Sequence, residues 1–142
     1  MIIPDVNLLL YAELDAHPHH VKARRWWEDA LNGTRQVGLP PVCLFAFLRL
    51  STSRRVFVDP LTADDAAARV ERWMSRPNVS VLSTGRSQID TALRLMRQIG
   101  VGGDLTTDIQ IAAHALEMQA EVHSNDSDFA RFEGLRWSNP LR

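Results

Sequence analysis

Apolar positions along this chain fall into two kinds of stretch: runs of a few residues, and longer segments in which they recur at helical spacing. Met1–Pro4 is a short apolar run ending at Asp5, and Asn7–Leu14 then reads as a helix. His19–Leu31 is an amphipathic pattern that Gly33 terminates, and Gln36–Leu39 is a second strand. Pro40-Pro41 opens a helix whose Val42–Leu50 stretch, VCLFAFLRL, is apolar nearly all round, which calls for cover on more than one side. Thr62-Ala63-Asp64-Asp65 has the form of a capping box with Asp in the Glu position. It starts a helix to about Ser75 that Pro77 stops, ahead of a third strand at Val79–Leu82. Ser87-Gln88-Ile89-Asp90 starts another helix with a similar cap, ending near Gly100.

The segment Asp104–Phe129 carries the densest signal. Thr106 or Thr107 is a candidate N-cap that puts Asp108 in the first turn of a helix. Ile109, Ala112, Ala113 and Leu116 give that helix an apolar face as far as about Gln119. Ala120–Ser124 is a short strand, followed at once by Asn125, Asp126, Ser127 and Asp128, and Leu135–Trp137 is a small last edge strand. Alternating β and α units predict an α/β fold: one domain over residues 1–142, with a central, mostly parallel β-sheet flanked by helices.

That architecture turns isolated aspartates into a constellation. If Ile2–Ile3 and Val122–Ser124 are neighbouring parallel strands, Asp5 and Asp126 emerge on the same rim, and Asp108 can point there from its helix start. Ligand sites in open α/β sheets form at that carboxyl edge. Singly, each acid has a structural explanation: Asp108 as a helix-dipole partner, Asp126 as a turn residue, Asp128 as the cap of a short helix through Phe132. Jointly they repel, and a cation between them removes the repulsion. Oxygen ligands without His or Cys spacing point to Mg²⁺, with Mn²⁺ as the alternative, rather than zinc. The loop histidines His17, His19 and His20 read as solvated, and Trp26 and Trp27 as packing residues.

Composition narrows the setting. The chain has 142 residues, 45% of them hydrophobic and 23% charged, enough for one real core. No signal-peptide pattern and no membrane-length apolar run occur, and the lone Cys43 lies in an apolar run, which together predict a cytoplasmic protein with no membrane partner. Net charge is −1, so no global basic field attracts nucleic acid, yet Lys22 is the only lysine among 16 basic residues. Arginine suits phosphate recognition, and Arg49, Arg54, Arg55, Arg86, Arg94 and Arg97 are the candidates for phosphate contacts.

Several motifs together carry a family resemblance. Asp5 followed by Asn7, Asp108 before an alanine-rich helix, SNDSDF at Ser124–Phe129, FLRLSTSRRVF at Phe47–Phe57 and the tail RFEGLRWSNPL at Arg131–Leu141 resemble PIN-domain proteins, specifically the VapC toxins of type II toxin–antitoxin modules. The resemblance covers essentially the whole chain. It implies a Mg²⁺-dependent endoribonuclease that acts on RNA, forms homodimers and is neutralised by a VapB-type antitoxin. Carried over by position, it implies metal-binding roles for Asp5, Asp108 and Asp126, with Asp128 behind them and Ser124 supporting the first aspartate. One departure is plain: many PIN domains carry a glutamate on the helix after the second strand, and this chain has no acid between Asp29 and Asp59. Asp104 is a candidate substitute. That gap keeps a second reading in view, a catalytically impaired PIN-like module that binds RNA or protein. A phospho-accepting receiver domain fits poorly, because the third strand ends in Ser83-Thr84 and the sole lysine is early.

Overall fold

A computed structural model describes residues 1–142. Five three-residue strands, β1 (Ile2–Pro4), β2 (Val37–Leu39), β3 (Val79–Val81), β4 (Glu121–His123) and β5 (Arg136–Ser138), form one sheet in the order β3-β2-β1-β4-β5. Every pairing is parallel. The predicted neighbours are found: Ile2, Ile3 and Pro4 of β1 lie opposite Glu121, Val122 and His123 of β4. With all strands running one way, their carboxyl ends share a single edge, and Asp5 and the loop after β4 both leave the sheet there.

The helices are α1 (Val6–Glu13), α2 (His20–Asn32), α3 (Pro41–Ser51), α4 (Ala63–Met74), α5 (Arg86–Ile99) and α6 (Thr106–Met118). No helix is long and apolar enough to cross a membrane. The Thr62 cap is made as predicted, its hydroxyl accepting from the Asp65 amide at 3.1 Å. Two other caps differ from expectation. α5 starts one residue earlier than Ser87; the Gln88 side chain accepts from the Gly85 amide at 2.7 Å, while Asp90 pairs with Arg86. α6 is capped by neither threonine, because a 3₁₀ turn at Gly103–Leu105 runs straight into it and the Thr106 amide is taken by the Gly103 carbonyl. Gly103 holds φ +58 at the start of that turn, a conformation glycine adopts without steric cost.

The core is set by aromatic packing across α2, α3 and α4. Trp27 and Trp73 are fully buried and meet edge-on at 5.5 Å, and Phe47 lies 4.7 Å from Trp73. Within a single chain α3 is covered unevenly, leaving a side for a partner. It buries Cys43, Leu44, Phe47 and Ser51, but Phe45 stands 69% exposed. Beneath this cluster sits a buried acid, Glu13, whose carboxylate accepts from Arg69 Nη1 at 2.6 Å, Arg24 Nη1 at 3.2 Å and Trp73 Nε1 at 3.2 Å. One side chain thereby ties α1 to α2 and α4.

Candidate metal centre

Asp5 follows β1 directly and is the N-cap of α1, so strand direction and helix start fix its place together. It is 3% exposed. Ser124, one residue past β4, donates from Oγ to Asp5 Oδ2 at 2.7 Å. The Ser124 oxygen in turn accepts the Asp126 amide at 2.9 Å, and Asp126 Oδ1 accepts the Asp128 amide at 2.8 Å. A continuous hydrogen-bond relay therefore sets the buried acid and the loop acids in one frame. The last link also reassigns a cap: Asp126, not Asp128, caps the 3₁₀ turn Ser127–Arg131, because its side chain reaches the amide two residues on.

Asp108 comes from the first turn of α6, where the helix start points at the carboxyl edge of the sheet. Carboxylate oxygens of Asp108, Asp126 and Asp128 lie within 4.8 Å of one another, each side chain partly buried. Of the four aspartates singled out in the sequence, these three form the cluster. Asp5 stands outside the trio, buried and tethered by Ser124. Asp104 is exposed and outside it as well. The three histidines gather no site: the His17 ring stacks on Tyr11 at 3.8 Å and its Nδ1 accepts the His19 amide, while His20 Nδ1 meets the Tyr11 carbonyl oxygen at 2.8 Å.

The electrostatics follow from this packing. Burial, then the charges of Asp5, Asp126 and Asp128, push Asp108 up to about 7. Burial raises Asp5 too, with Asp126 adding to it, against the lowering effect of the Ser124 hydrogen bond and the nearby Val6 and Asn7 amides. No arginine or lysine pairs with any of these four acids. Clustered hard oxygen donors with no compensating cation from the protein fit a divalent metal ion. α3 carries no acid, and what it brings near Asp5 is a thiol. Cys43 Sγ lies 3.5 Å from the Pro4 carbonyl oxygen, and burial, with Asp5 and Asp108 nearby, raises that thiol well above its ordinary value.

Tyr11 was not singled out in the sequence, yet it belongs to this neighbourhood. Its phenol is raised by partial burial and by the charges of Asp5 and Asp126, and its hydroxyl faces Asn125. No helical spacing signals it: at 3.6 residues per turn, six positions place Tyr11 about 120° around α1 from its N-cap Asp5.

The family model of the PIN domain matches residues 2–135. The chain is 50% identical over 142 residues to Ribonuclease VapC33 of Mycobacterium tuberculosis, covering 100% of this chain and 99% of that one. It is 39% identical over 140 residues to Ribonuclease VapC37 of the same organism, covering 99% and 97%. Among solved structures, Mycobacterium tuberculosis VapC20, a sarcin–ricin-loop-cleaving toxin, superposes with a TM-score of 0.71 at 18% identity over 96% of this chain and 99% of that one. The VapBC2 structure from Rickettsia felis, bound to a DNA fragment from its promoter, gives 0.67 at 18% identity over 98% of each chain.

Proposed function

The chain belongs to the PIN-domain family, among the VapC ribonucleases, and on that footing we propose that it is the toxin of a type II toxin–antitoxin module. Its activity is hydrolysis of RNA phosphodiester bonds as a divalent-metal-dependent endoribonuclease, with Mg²⁺ the expected ion and Mn²⁺ a substitute. A VapB-type antitoxin neutralises it, and the working location is the cytoplasm. The observation that carries this reading is full-length 50% identity to a named ribonuclease in a chain whose acids meet at one sheet edge. Homodimerisation is part of the proposal, supported by apolar surface on α3 and α5, where Phe45 is 69%, Ile89 49% and Leu93 44% exposed.

In this reading Asp5, Asp108 and Asp126 are the metal-binding acids, and Asp128, whose carboxylate lies within 4.8 Å of those of Asp108 and Asp126, adds a further oxygen at the same edge. A bound divalent cation supplies charge neutralisation at the phosphate and activation of the attacking water. The chain's own part is preorganisation. The relay from the Asp128 amide through Asp126 and Ser124 to Asp5 holds the acids in place before substrate arrives, so little reorganisation remains for the reaction. Asp108, raised to about 7, must lose its proton to serve as a ligand, which couples metal binding to pH.

The lack of an acid on α3 favours one other reading, a catalytically impaired PIN-like module that binds RNA or protein. Both are tested by incubating total RNA with wild type and Asp5→Asn, each with Mg²⁺ and with EDTA, after circular dichroism shows both folded. Discrete fragments from wild type with Mg²⁺ alone are expected. RNA retained without cleavage by folded wild type, at any Mg²⁺ or Mn²⁺ concentration, overturns the nuclease in favour of the binding module.

A further inference from the structure

Away from the acidic edge, a cleft of about 650 Å³ runs between α2 and the segment after β5. One face of α2 lines it with Lys22, Arg25 and Trp26, the turn into β2 adds Arg35, and Leu141 and Arg142 close the far side. Four of its lining residues are cationic and one, Asp29, is acidic, in a chain whose net charge is −1. Arg35 reaches Glu121 at 3.6 Å, but Lys22, Arg25 and Arg142 pair with no acid. Lys22 and Arg25 are three apart, so their side chains are neighbours on the helix surface and both stand exposed. Adjacent like charges left unpaired are repulsive, and a polyanion relieves them.

The aromatic member is fixed in place. Trp26 donates its indole N–H to His123 Nδ1 at 3.0 Å, so His123 carries its proton on Nε2 and donates to Glu121 Oε1 at 2.7 Å. The half-buried ring has its polar atom engaged, and the part left uncovered is apolar surface beside cations, the combination that receives a base or ribose next to phosphates. A chain of hydrogen bonds links the cleft lining to the loop that carries the acids. Leu141 donates its amide to Asn139 Oδ1 at 2.9 Å, and Asn139 Nδ2 donates to Asn125 Oδ1 at 2.8 Å, one residue before Asp126.

We propose that this cleft is an exosite for the RNA substrate, gripping a single-stranded stretch that leaves the acidic edge over Asn125 and Asn139, with phosphates on Lys22, Arg25 and Arg35 and a base or ribose against Trp26. The inference rests on the ribonuclease reading and adds where the strand goes beyond the bond that is cut. None of Asp5, Asp108, Asp126 and Asp128 lines the cleft, so its contribution is separable from cleavage itself. Phosphate contacts of this kind position RNA without reading its sequence.

The test is binding of a labelled single-stranded oligoribonucleotide of about 16 residues, measured in EDTA across a salt series for wild type, Lys22→Glu/Arg25→Glu and Lys22→Gln/Arg25→Gln. Both double variants alter exposed positions, and circular dichroism checks their fold. Affinity is expected to fall at least ~10-fold in the Glu pair and less in the Gln pair. Losing two phosphate contacts should lower the salt slope by about 1.4. With Mg²⁺ present, KM for a long RNA should rise while kcat stays. Unchanged affinity and slope alongside normal cleavage overturn the exosite and leave the ribonuclease standing. Cleft-dependent binding with no cleavage by wild type overturns the ribonuclease reading and keeps the cleft. If the variants instead lose a poly-glutamate peptide and retain RNA, the cleft serves an acidic protein partner and the RNA assignment falls.

Discussion

Glu13 and Asp5 stand at opposite ends of one helix, α1 and its N-cap, and both are buried acids, yet their surroundings are opposites. Glu13 is met by Arg24 and Arg69 at 3.2 and 2.6 Å and by the Trp73 indole, with Arg72 at 4.0 Å. Asp5 receives a serine hydroxyl and faces further carboxylates. The first acid is satisfied by the fold; removing it strands cations. The second belongs to a group the fold leaves uncompensated, and a group of that kind persists where an external cation completes it. Burial alone therefore does not separate a structural acid from a site acid; the identity of the partner does.

The comparison is broken most severely by substitutions at its two poles. Asp108→Ala should lower the initial rate of RNA cleavage by about 10³-fold, the scale of losing a preorganised charge contact to the reacting groups. The metal-free protein should melt no lower than wild type, since a repelled carboxylate is removed. Parallel rate and thermal-melt measurements check both halves, and a large loss of stability would show Asp108 to be structural. At the other pole, Glu13→Ala should cost about 3 kcal/mol in urea unfolding, because Arg69 and the Trp73 indole lose their acceptor. Cleavage per folded molecule should be nearly unchanged.

Smaller effects sharpen it. Ser124→Ala should destabilise by about 1–2 kcal/mol, freeing Asp5 Oδ2 and the Asp126 amide together. The measurement is again urea unfolding, and kcat should fall several-fold as the acids lose register. The comparison also has a pH response. Asp108 is raised from 3.8 to about 7, so across that window the folded protein keeps a proton that the unfolded chain releases. Stability of the metal-free protein from this group is present at low pH and lost as pH rises to about 7. Thermal melts in EDTA should show that decline in wild type and a flatter profile in Asp108→Asn. Adding Mg²⁺ at pH 7.5 should restore the wild-type melting temperature and leave the variant unmoved, by preferential binding to the folded state.

The sequence carried much of this because its strongest cues are local. The β1–β4 pairing and the support of Asp5 by Ser124 were legible from short apolar runs ending in polar residues and from the family pattern. The Glu13 cluster was not, because Arg69 and Trp73 lie 56 and 60 residues away and no periodicity links them to α1. Capping failed at α5 and α6 for a related reason. Ser87 and Thr106 have suitable side chains, but a glycine held by Gln88 and a preceding 3₁₀ turn had already met the first amides. The basic face of α2 escaped as well: Lys22 and Arg25 are unremarked in a chain of net charge −1 until folding brings Arg35 and the C-terminal segment beside them.

The thiol beneath the acids offers a further use. Cys43 is the chain's single cysteine, fully buried under Pro4 with its ionisation suppressed. A thiol-reactive dye therefore labels only molecules whose site floor has opened, at a rate set by that opening. Labelling kinetics with and without divalent ion would read directly, at one atom and without any engineered probe, how firmly the ion clamps the centre of the molecule shut.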